Sequence, residues 1–204
     1  MPTPIIIAIA GPSCSGKTLI AITLAKKLTD ATVISMDSYY RDLTTVPKDE
    51  LEHWNFDQPT SIDYKMLIEQ LRSLAEGNSI VKPIYHFPSH TIAPVGEEIT
   101  PGRYIILDGL FALYWQEVLE QCQLKVFIQA SDEVCFQRRL VRDPVERGFT
   151  PEYVSMQYQE TVRPMYQKFV HPTKNQADVV LNGKGIVLDS IRAIMSKLGE
   201  ISTD

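Results

Sequence analysis

The residues with the clearest chemical meaning lie close to the start of the chain, at positions 11–18, which read GPSCSGKT. This is the spacing G-x-x-x-x-G-K-[ST], whose glycines allow a tight turn and a close approach of the backbone to an anion. Converging backbone N–H groups and the N-terminus of a following helix bind phosphate. Lys17 brings charge to the β- and γ-phosphates, and the Thr18 hydroxyl is a ligand for Mg²⁺. A nucleoside triphosphate is therefore expected at Gly11, Ser13, Cys14, Ser15, Gly16, Lys17 and Thr18.

Two carboxylates extend this chemistry because each follows a predicted strand. Residues 31–36 and 103–107 are typical of buried strands, and Asp37 and Asp108 come directly after them. Ligands of open α/β sheets bind beyond the carboxyl ends of the strands, so both carboxylates are expected near the phosphates. Asp108 ends its strand as a Walker B aspartate does and is a candidate Mg²⁺ ligand. Three roles are open for Asp37: to accept a hydroxyl proton, to hold Mg²⁺, or to cap a turn.

Four arginines lie close together, in a predicted helix and just beyond its expected end at Pro144: Arg138, Arg139, Arg142 and Arg147. Like charges at helical spacing repel by about 0.2–0.5 kcal/mol per pair, which is tolerable when an anion lies opposite. Residues 138–150 are therefore predicted to form a lid that clamps phosphates. The alternative is a solvated basic face, paired with the acidic residues Asp143 and Glu146.

The elements that position these groups are of the α/β type. Residues 4–10 predict a buried strand and residues 19–28 a helix, which is the strand–loop–helix order of P-loop proteins. Further strands are predicted at 124–128 and 177–181. Residues 60–63 resemble a capping box for a helix starting at Tyr64, and a long helix over 150–170 is expected to kink at Pro164.

Two segments outside these elements carry polar and aromatic groups. Residues 43–60 predict a surface loop with one helical turn, which contains Asp57 beside an aromatic ring. Alternating residues around Pro88 predict an exposed antiparallel ribbon over about 79–99, with Tyr85 and His90 near its tip. Aromatic rings at such a tip could stack on a base, but a lone histidine is more often a surface residue.

Composition narrows the class of protein. The chain has 204 residues, 44% of them hydrophobic, and is predicted to be a single domain, 1–204. A net charge of −5 gives no basic surface for nucleic acid. No apolar run approaches the 18 or so residues of a membrane span or resembles a signal sequence. Three widely spaced cysteines fit neither a disulfide framework nor a zinc site, which favours a reducing cytoplasm.

Taken together, seven stretches give the chain a resemblance to uridine kinases (uridine–cytidine kinases). They are GPSCSGKT, DSYYR at 37–41, NFDQP at 55–59, YHFPSH at 85–90, DG at 108–109, RRLVRDPVERG at 138–148 and the segment 162–181. The resemblance implies a P-loop NTPase fold with a parallel five-stranded sheet flanked by helices, often assembled as a homotetramer. It implies transfer of the γ-phosphate of ATP or GTP, with Mg²⁺, to the 5′-hydroxyl of uridine or cytidine.

The same resemblance implies roles for individual residues. Asp37 would receive the 5′-hydroxyl proton, and Lys17 and Arg142 would complete the catalytic set. Asp57 would hold the ribose hydroxyls. Arg139, Arg142 and Arg147 would serve the lid and the phosphates, and Arg142 would also contact the substrate. Tyr85 and His90 would contact the pyrimidine, and Gln157 would lie near the sugar.

Three positions depart from the family pattern: Asp108 stands where Glu is usual, His86 where Asp is common, and Phe149 where a further arginine is common. These differences leave other acceptors open, among them nicotinamide riboside, pantothenate and ribulose phosphate. A regulatory, non-catalytic nucleotide-binding protein is the alternative from another class, although Lys17 and Thr18 are both present. The chain has no N-K-x-D stretch for guanine recognition.

Overall fold

A parallel five-stranded sheet forms the centre of the molecule. The structure is a computed structural model in which residues 3–51 and 54–201 are described. The strands are β1 Ile5–Ala10, β2 Ala31–Ser35, β3 Ile80–Lys82, β4 Tyr85–His86, β5 Thr91–Ile92, β6 Glu97–Ile99, β7 Tyr104–Asp108, β8 Leu124–Gln129 and β9 Val179–Asn182. The central sheet has the order β2–β7–β1–β8–β9, with all neighbours parallel. The predicted five-stranded parallel sheet is confirmed.

Helices cover both faces of this sheet. They are α1 Lys17–Lys27, α2 Lys48–Leu51, α3 Tyr64–Ala75, α4 Gln116–Leu119, α5 Asp132–Arg147, α6 Pro151–Gln157, α7 Arg163–Met165 and α8 Val187–Ile201. Alternate residues of β1 face opposite sides: Ile6 joins a core with α3, whereas Ile7 joins a core with α1 and α8. Burial on both faces explains why β1 is an almost continuous run of isoleucine and alanine. Of the helices that the structure describes, none is long and apolar enough to cross a membrane.

The long helix predicted over 150–170 is interrupted. It begins as α6 with Pro151 in the first turn and the Thr150 side chain as its cap. Two π-helical segments follow, Tyr158–Val162 and Tyr166–Val170, on either side of α7. Pro164 lies in α7 and has no N–H to donate, and the backbone on either side of α7 takes the wider π-helical turn.

The antiparallel ribbon predicted over 79–99 is confirmed and consists of two pairs, β3 with β6 and β4 with β5. Two local predictions were wrong in detail. Helix α5 runs through Pro144 to Arg147, so Arg147 belongs to the helix instead of following it. The cap of α3 is Asp63, whose carboxylate accepts the N–H of Met66, because residues 59–61 form a 3₁₀ turn of their own. The loop predicted at 43–60 does contain one short helix, α2, and its residues 52 and 53 lie outside the described part of the chain.

Candidate active site

The loop between β1 and α1 is built around backbone conformations that favour glycine. Gly11 has φ +152°, and a Cβ at this position would lie 2.4 Å from the carbonyl oxygen of Ile128. Gly16 has φ +98° and forms the left-handed cap from which α1 begins at Lys17. Cys14 also has a positive φ of 61°. The loop therefore turns back on the sheet and leads directly into a helix N-terminus, as an anion site requires.

Arg138 holds this loop from outside. Its Nη1 donates to the carbonyl oxygen of Cys14 at 3.1 Å, and its Nη2 donates to the carbonyl oxygen of Gly183 at 3.0 Å. One side chain thus ties the phosphate loop to the segment after β9. The sequence grouped Arg138 with the arginines of the lid, but no local pattern indicates a contact with residues more than forty positions away.

Two cavities meet at the loop. The first, of about 250 Å³, is lined by ten of the predicted site residues: Ser13, Lys17, Thr18, Asp37, Asp57, His90, Arg139, Arg142, Arg147 and Gln157. The second, of about 490 Å³, lies on the other side of the loop between Arg138 and the segment 182–187, and Cys14, Ser15 and Gly16 line it. Lys17, Thr18 and Arg142 line both cavities, so a group bound at the loop is accessible from either side.

Asp37 and Asp57 face the first cavity from different loops. Asp37 lies in the 3₁₀ turn Met36–Tyr39 that follows β2, and Ser35, not Asp37, occupies the cap position of that turn. Burial raises the pKa of Asp57, while Arg139 and Arg147 partly offset that effect. Tyr40 lines the same cavity, and its pKa is raised by burial first and then by Asp37 and Asp57. Tyr40 was not among the site residues predicted from the sequence, although it is three residues from Asp37.

Asp108 ends β7 and is only 3% exposed. Burial raises its pKa, while Lys17 and Thr18 favour the ionised form. Its Oδ1 atom is buried without a hydrogen-bond partner among the described residues. A hydroxyl, a carboxylate and phosphate oxygens are hard donors of the kind that Mg²⁺ binds, usually with only one or two carboxylates and several waters. The Thr18 hydroxyl and the Asp108 carboxylate, with its unpartnered Oδ1, are donors of this kind and fit Mg²⁺.

Three arginines of α5 converge on one buried carboxylate, that of Asp143. Asp143 Oδ2 lies 2.9 Å from Arg139 Nη2, and Asp143 Oδ1 lies 2.7 Å from Arg142 Nη2 and 3.9 Å from Arg147 Nε. Arg139 also donates to Gln157 Oε1 at 2.7 Å. The side chains of Arg139, Arg142 and Arg147 form one wall of the first cavity. This arrangement is not a solvated basic face, because the three arginines line the cavity and share one buried carboxylate.

Aromatic rings form the end of the cavity away from the loop. The His90 ring stacks on Phe56 with centroids 4.6 Å apart, and Arg147 lies over the Phe87 ring at 5.1 Å. Burial is the larger cause that lowers the pKa of His90, and the positive charge of Arg147 is the smaller one. Both favour a neutral imidazole. Tyr85 is not among the residues that line the cavity, but its hydroxyl lies 3.4 Å from Nδ1 of His90. The predicted contact of Tyr85 with a ligand is therefore replaced by a contact with His90.

Phe149 lines the same cavity and packs on Tyr153, with ring centroids 4.9 Å apart. Gly148 ends α5 in the left-handed conformation with φ +71°, which turns the chain so that Phe149 faces inward. The position that commonly carries an arginine in the resembling family thus contributes an apolar ring here. Among the described residues, His86 is exposed and is not part of the cavity wall.

The arrangement can transfer an anionic group between two sites. The loop and the arginines are groups that can bind phosphate, and the carboxylate of Asp37, which can accept a proton, lines the same cavity. Asp57 and Gln157 add hydrogen-bonding groups for hydroxyls, and the aromatic end accepts a flat ring.

Comparisons with known proteins agree with this geometry. The model of the Phosphoribulokinase / Uridine kinase family matches residues 6–188. A uridine kinase of Haemophilus ducreyi is 38% identical over 203 residues, which cover 95% of this chain and 94% of that protein. A uridine kinase of Deinococcus deserti is 40% identical over 185 residues, covering 90% and 89%.

A solved structure shares the fold at lower identity. The phosphoribulokinase of Rhodobacter spheroides superimposes with a TM-score of 0.65 at 18% identity and covers 88% of this chain and 70% of that one. Because the family match spans most of the chain and the curated relatives are similar over nearly their full length, the chain belongs to the phosphoribulokinase/uridine kinase family.

Proposed function

We propose that the protein phosphorylates the 5′-hydroxyl of uridine or cytidine, with ATP or GTP as the donor. The observation that carries this proposal is that the two cavities share Lys17, Thr18 and Arg142. A donor in the second cavity and an acceptor in the first would meet at this point. The relatives named uridine kinase support the choice of acceptor.

On the donor side, the loop N–H groups and Lys17 would bind the phosphates. Thr18 and Asp108 would hold Mg²⁺, which supplies charge neutralisation at the phosphate oxygens when it is bound. Arg142 faces the same point from α5, where a guanidinium stabilises the negative charge that spreads over the transferring group. The tightly supported loop means that these groups need little reorganisation during the reaction.

On the acceptor side, Asp37 would accept the 5′-hydroxyl proton and Asp57 would bind the ribose hydroxyls. Asp57 faces Arg139 and Arg147, which favour its ionised form against the effect of burial. His90 would contact the pyrimidine edge, with its ring held by Phe56 and Tyr85. Phe149 would add apolar contact at a place where an arginine would donate a hydrogen bond.

The proposal is tested with a panel of acceptors incubated with ATP and Mg²⁺, followed by product detection. The panel contains uridine, cytidine, 2′-deoxyuridine, adenosine, nicotinamide riboside, pantothenate and a ribulose phosphate. We expect UMP and CMP as the main products, and no product when Mg²⁺ is chelated. Preferential phosphorylation of adenosine or of a non-nucleoside acceptor would overturn the proposal.

We also propose a cytoplasmic location and a homotetramer. The thiols of Cys14, Cys122 and Cys135 are all free, as a reducing compartment allows. Light scattering on the purified protein checks the assembly, and a mass equal to one chain would contradict it.

A further inference from the structure

Asp143 lies behind the arginine wall of the cavity and makes no contact with the cavity itself. It is completely buried, with an exposed fraction of 0%. Its backbone is fixed as well, because its carbonyl oxygen accepts the N–H groups of Gly148 and Phe149 where α5 ends. Both ends of this residue are therefore held, and its carboxylate has a defined place in the fold.

The carboxylate contacts two guanidinium groups that also reach the phosphate loop. Arg142 donates from Nε to Asp143 Oδ1 at 2.8 Å, and its Nη2 lies 2.7 Å from the same oxygen and 3.5 Å from Ser13 Oγ. Arg139 has its Nη2 2.9 Å from Asp143 Oδ2, while its Nη1 reaches Ser13 Oγ at 3.3 Å. The contact of Arg139 with Oδ2 is an ion pair without the alignment of a hydrogen bond, since Oδ2 lacks a hydrogen-bond partner in the described structure.

Charge explains why such an anchor is needed. Three guanidinium groups in one wall repel each other, and long arginine side chains have many rotamers when nothing holds them. One buried carboxylate offsets one of the three charges and holds all three groups on the same side. The wall keeps an excess of positive charge for phosphate, in fixed positions. Groups fixed in place before the reaction stabilise a developing charge better than mobile ones.

We propose that Asp143 is a positioning residue that aims Arg139 and Arg142 at the transferring phosphoryl group. The proposal rests on the proposed kinase function for its catalytic consequence, but its geometric part stands on the contacts alone. Asp143 does not touch the ligands, so its effect is carried by the arginines. Loss of the carboxylate leaves the positive charges in place and removes their alignment.

This role predicts a particular pattern in the kinetics. Asp143→Asn keeps the size of the side chain and removes its charge, so attraction of the donor phosphates is maintained or increased. Alignment is lost, and a displacement of about 1 Å in a reacting geometry costs about 10²-fold in rate. We therefore expect kcat to fall by about this factor while KM for ATP stays the same or decreases.

Two further variants separate positioning from other effects. Asp143→Glu keeps the negative charge, so the guanidinium groups stay compensated. Because it moves the carboxylate by one methylene, it still shifts the arginine side chains out of alignment. Glu146→Gln is the matched control, because it removes a negative charge from the same helix at a side chain that is 66% exposed and 3.9 Å from Arg142. The kcat of Glu146→Gln is expected to stay within about twofold of the parent's kcat, because an exposed ion pair contributes little.

The experiment combines kinetics with a measurement that does not depend on activity. Values of kcat are divided by the number of ATP-binding sites from titration calorimetry, so that unfolded protein does not lower them. Arginine exposure is measured by phenylglyoxal labelling and mass spectrometry, with Arg192, which is already 77% exposed, as the internal reference. We expect Arg139 and Arg142 to be labelled faster in both Asp143 variants, with Arg192 and the Glu146→Gln protein unchanged.

Each outcome decides the proposal. Faster labelling together with a lower kcat per site supports it. Unchanged labelling overturns it, and so does faster labelling with a normal kcat, because the alignment would then be irrelevant to turnover. If the parent phosphorylates no acceptor of the panel, the proposed function has failed, and labelling alone decides whether Asp143 holds the arginines.

Discussion

The substitution Gly183→Ala tests how the phosphate loop is supported. Gly183 follows β9, and its N–H donates to the carbonyl oxygen of Gln129 at 2.8 Å. A Cβ on Gly183 would lie 2.3 Å from the carbonyl oxygen of Ser15, inside the phosphate loop. Both sides of this contact are backbone, so neither can turn away as a flexible side chain would. The added methyl group must push the loop and the segment after β9 apart.

The size of the effect follows from these distances. Contacts of a Cβ below 3.0 Å are essentially never observed, so at least about 0.7 Å of displacement is required. Overpacking of this kind costs about 1–3 kcal/mol, which for a chain of this size lowers Tm by about 2–12 °C. A displacement approaching 1 Å at the loop should reduce kcat/KM for ATP by up to about 10²-fold.

Gly199→Ala is the matched control for this prediction. Gly199 lies in α8 and is exposed, and among the described residues outside its own stretch of helix no atom lies within 4 Å of the position that a Cβ would take. The same chemical change should therefore stabilise the helix by about 0.5–1 kcal/mol and leave turnover unaffected. Thermal unfolding and titration calorimetry with ATP measure both variants. If Gly183→Ala melts and binds ATP like the parent, the segment after β9 does not support the loop.

Three further predictions concern the ligand-binding groups. Lys17→Ala should lower turnover by orders of magnitude with little change in Tm, because Lys17 lines both cavities and is not part of the core. Normal turnover of this variant would rule out the phosphate-loop assignment. Asp37→Asn should reduce kcat by about 10²–10⁴-fold with little effect on ATP affinity, and an unchanged kcat would make Asp37 a structural residue. The parent should prefer uridine to 2′-deoxyuridine, since an unpaired buried acceptor costs about 1–3 kcal/mol, and Asp57→Ala should narrow that gap in kcat/KM. Equal use of both nucleosides by the parent would contradict the role of Asp57.

The central part of the fold could be predicted because its signals are local. The strand–loop–helix order around residues 11–18 rests on an apolar run, glycine spacing and helical periodicity, all within a few turns of chain. The carboxyl ends of parallel strands meet at one edge of the sheet, so Asp37 and Asp108 were expected near the loop. The structure brings both to that edge.

Predictions made from single residues were less accurate because tertiary contacts override local preference. Pro144 was expected to end its helix, but α5 continues past it to Arg147. The antiparallel pairing over 79–99 was predicted correctly, but its division into two pairs, β4 with β5 and β3 with β6, was not. Such outcomes depend on what each segment packs against, and a local pattern does not contain that information.

Residue types and their spacing were enough to predict which groups this protein has for chemistry: a phosphate loop, carboxylates beyond the strands, and a group of arginines. Their arrangement became clear only from the folded molecule. There, Asp143 contacts three arginines, Arg138 bridges the phosphate loop and the segment after β9, and Tyr85 contacts His90. Residue types and spacing specify which groups are available. The direction and the charge environment of each group depend on burial and on distant contacts, such as the one between Cys14 and Arg138, which are 124 positions apart.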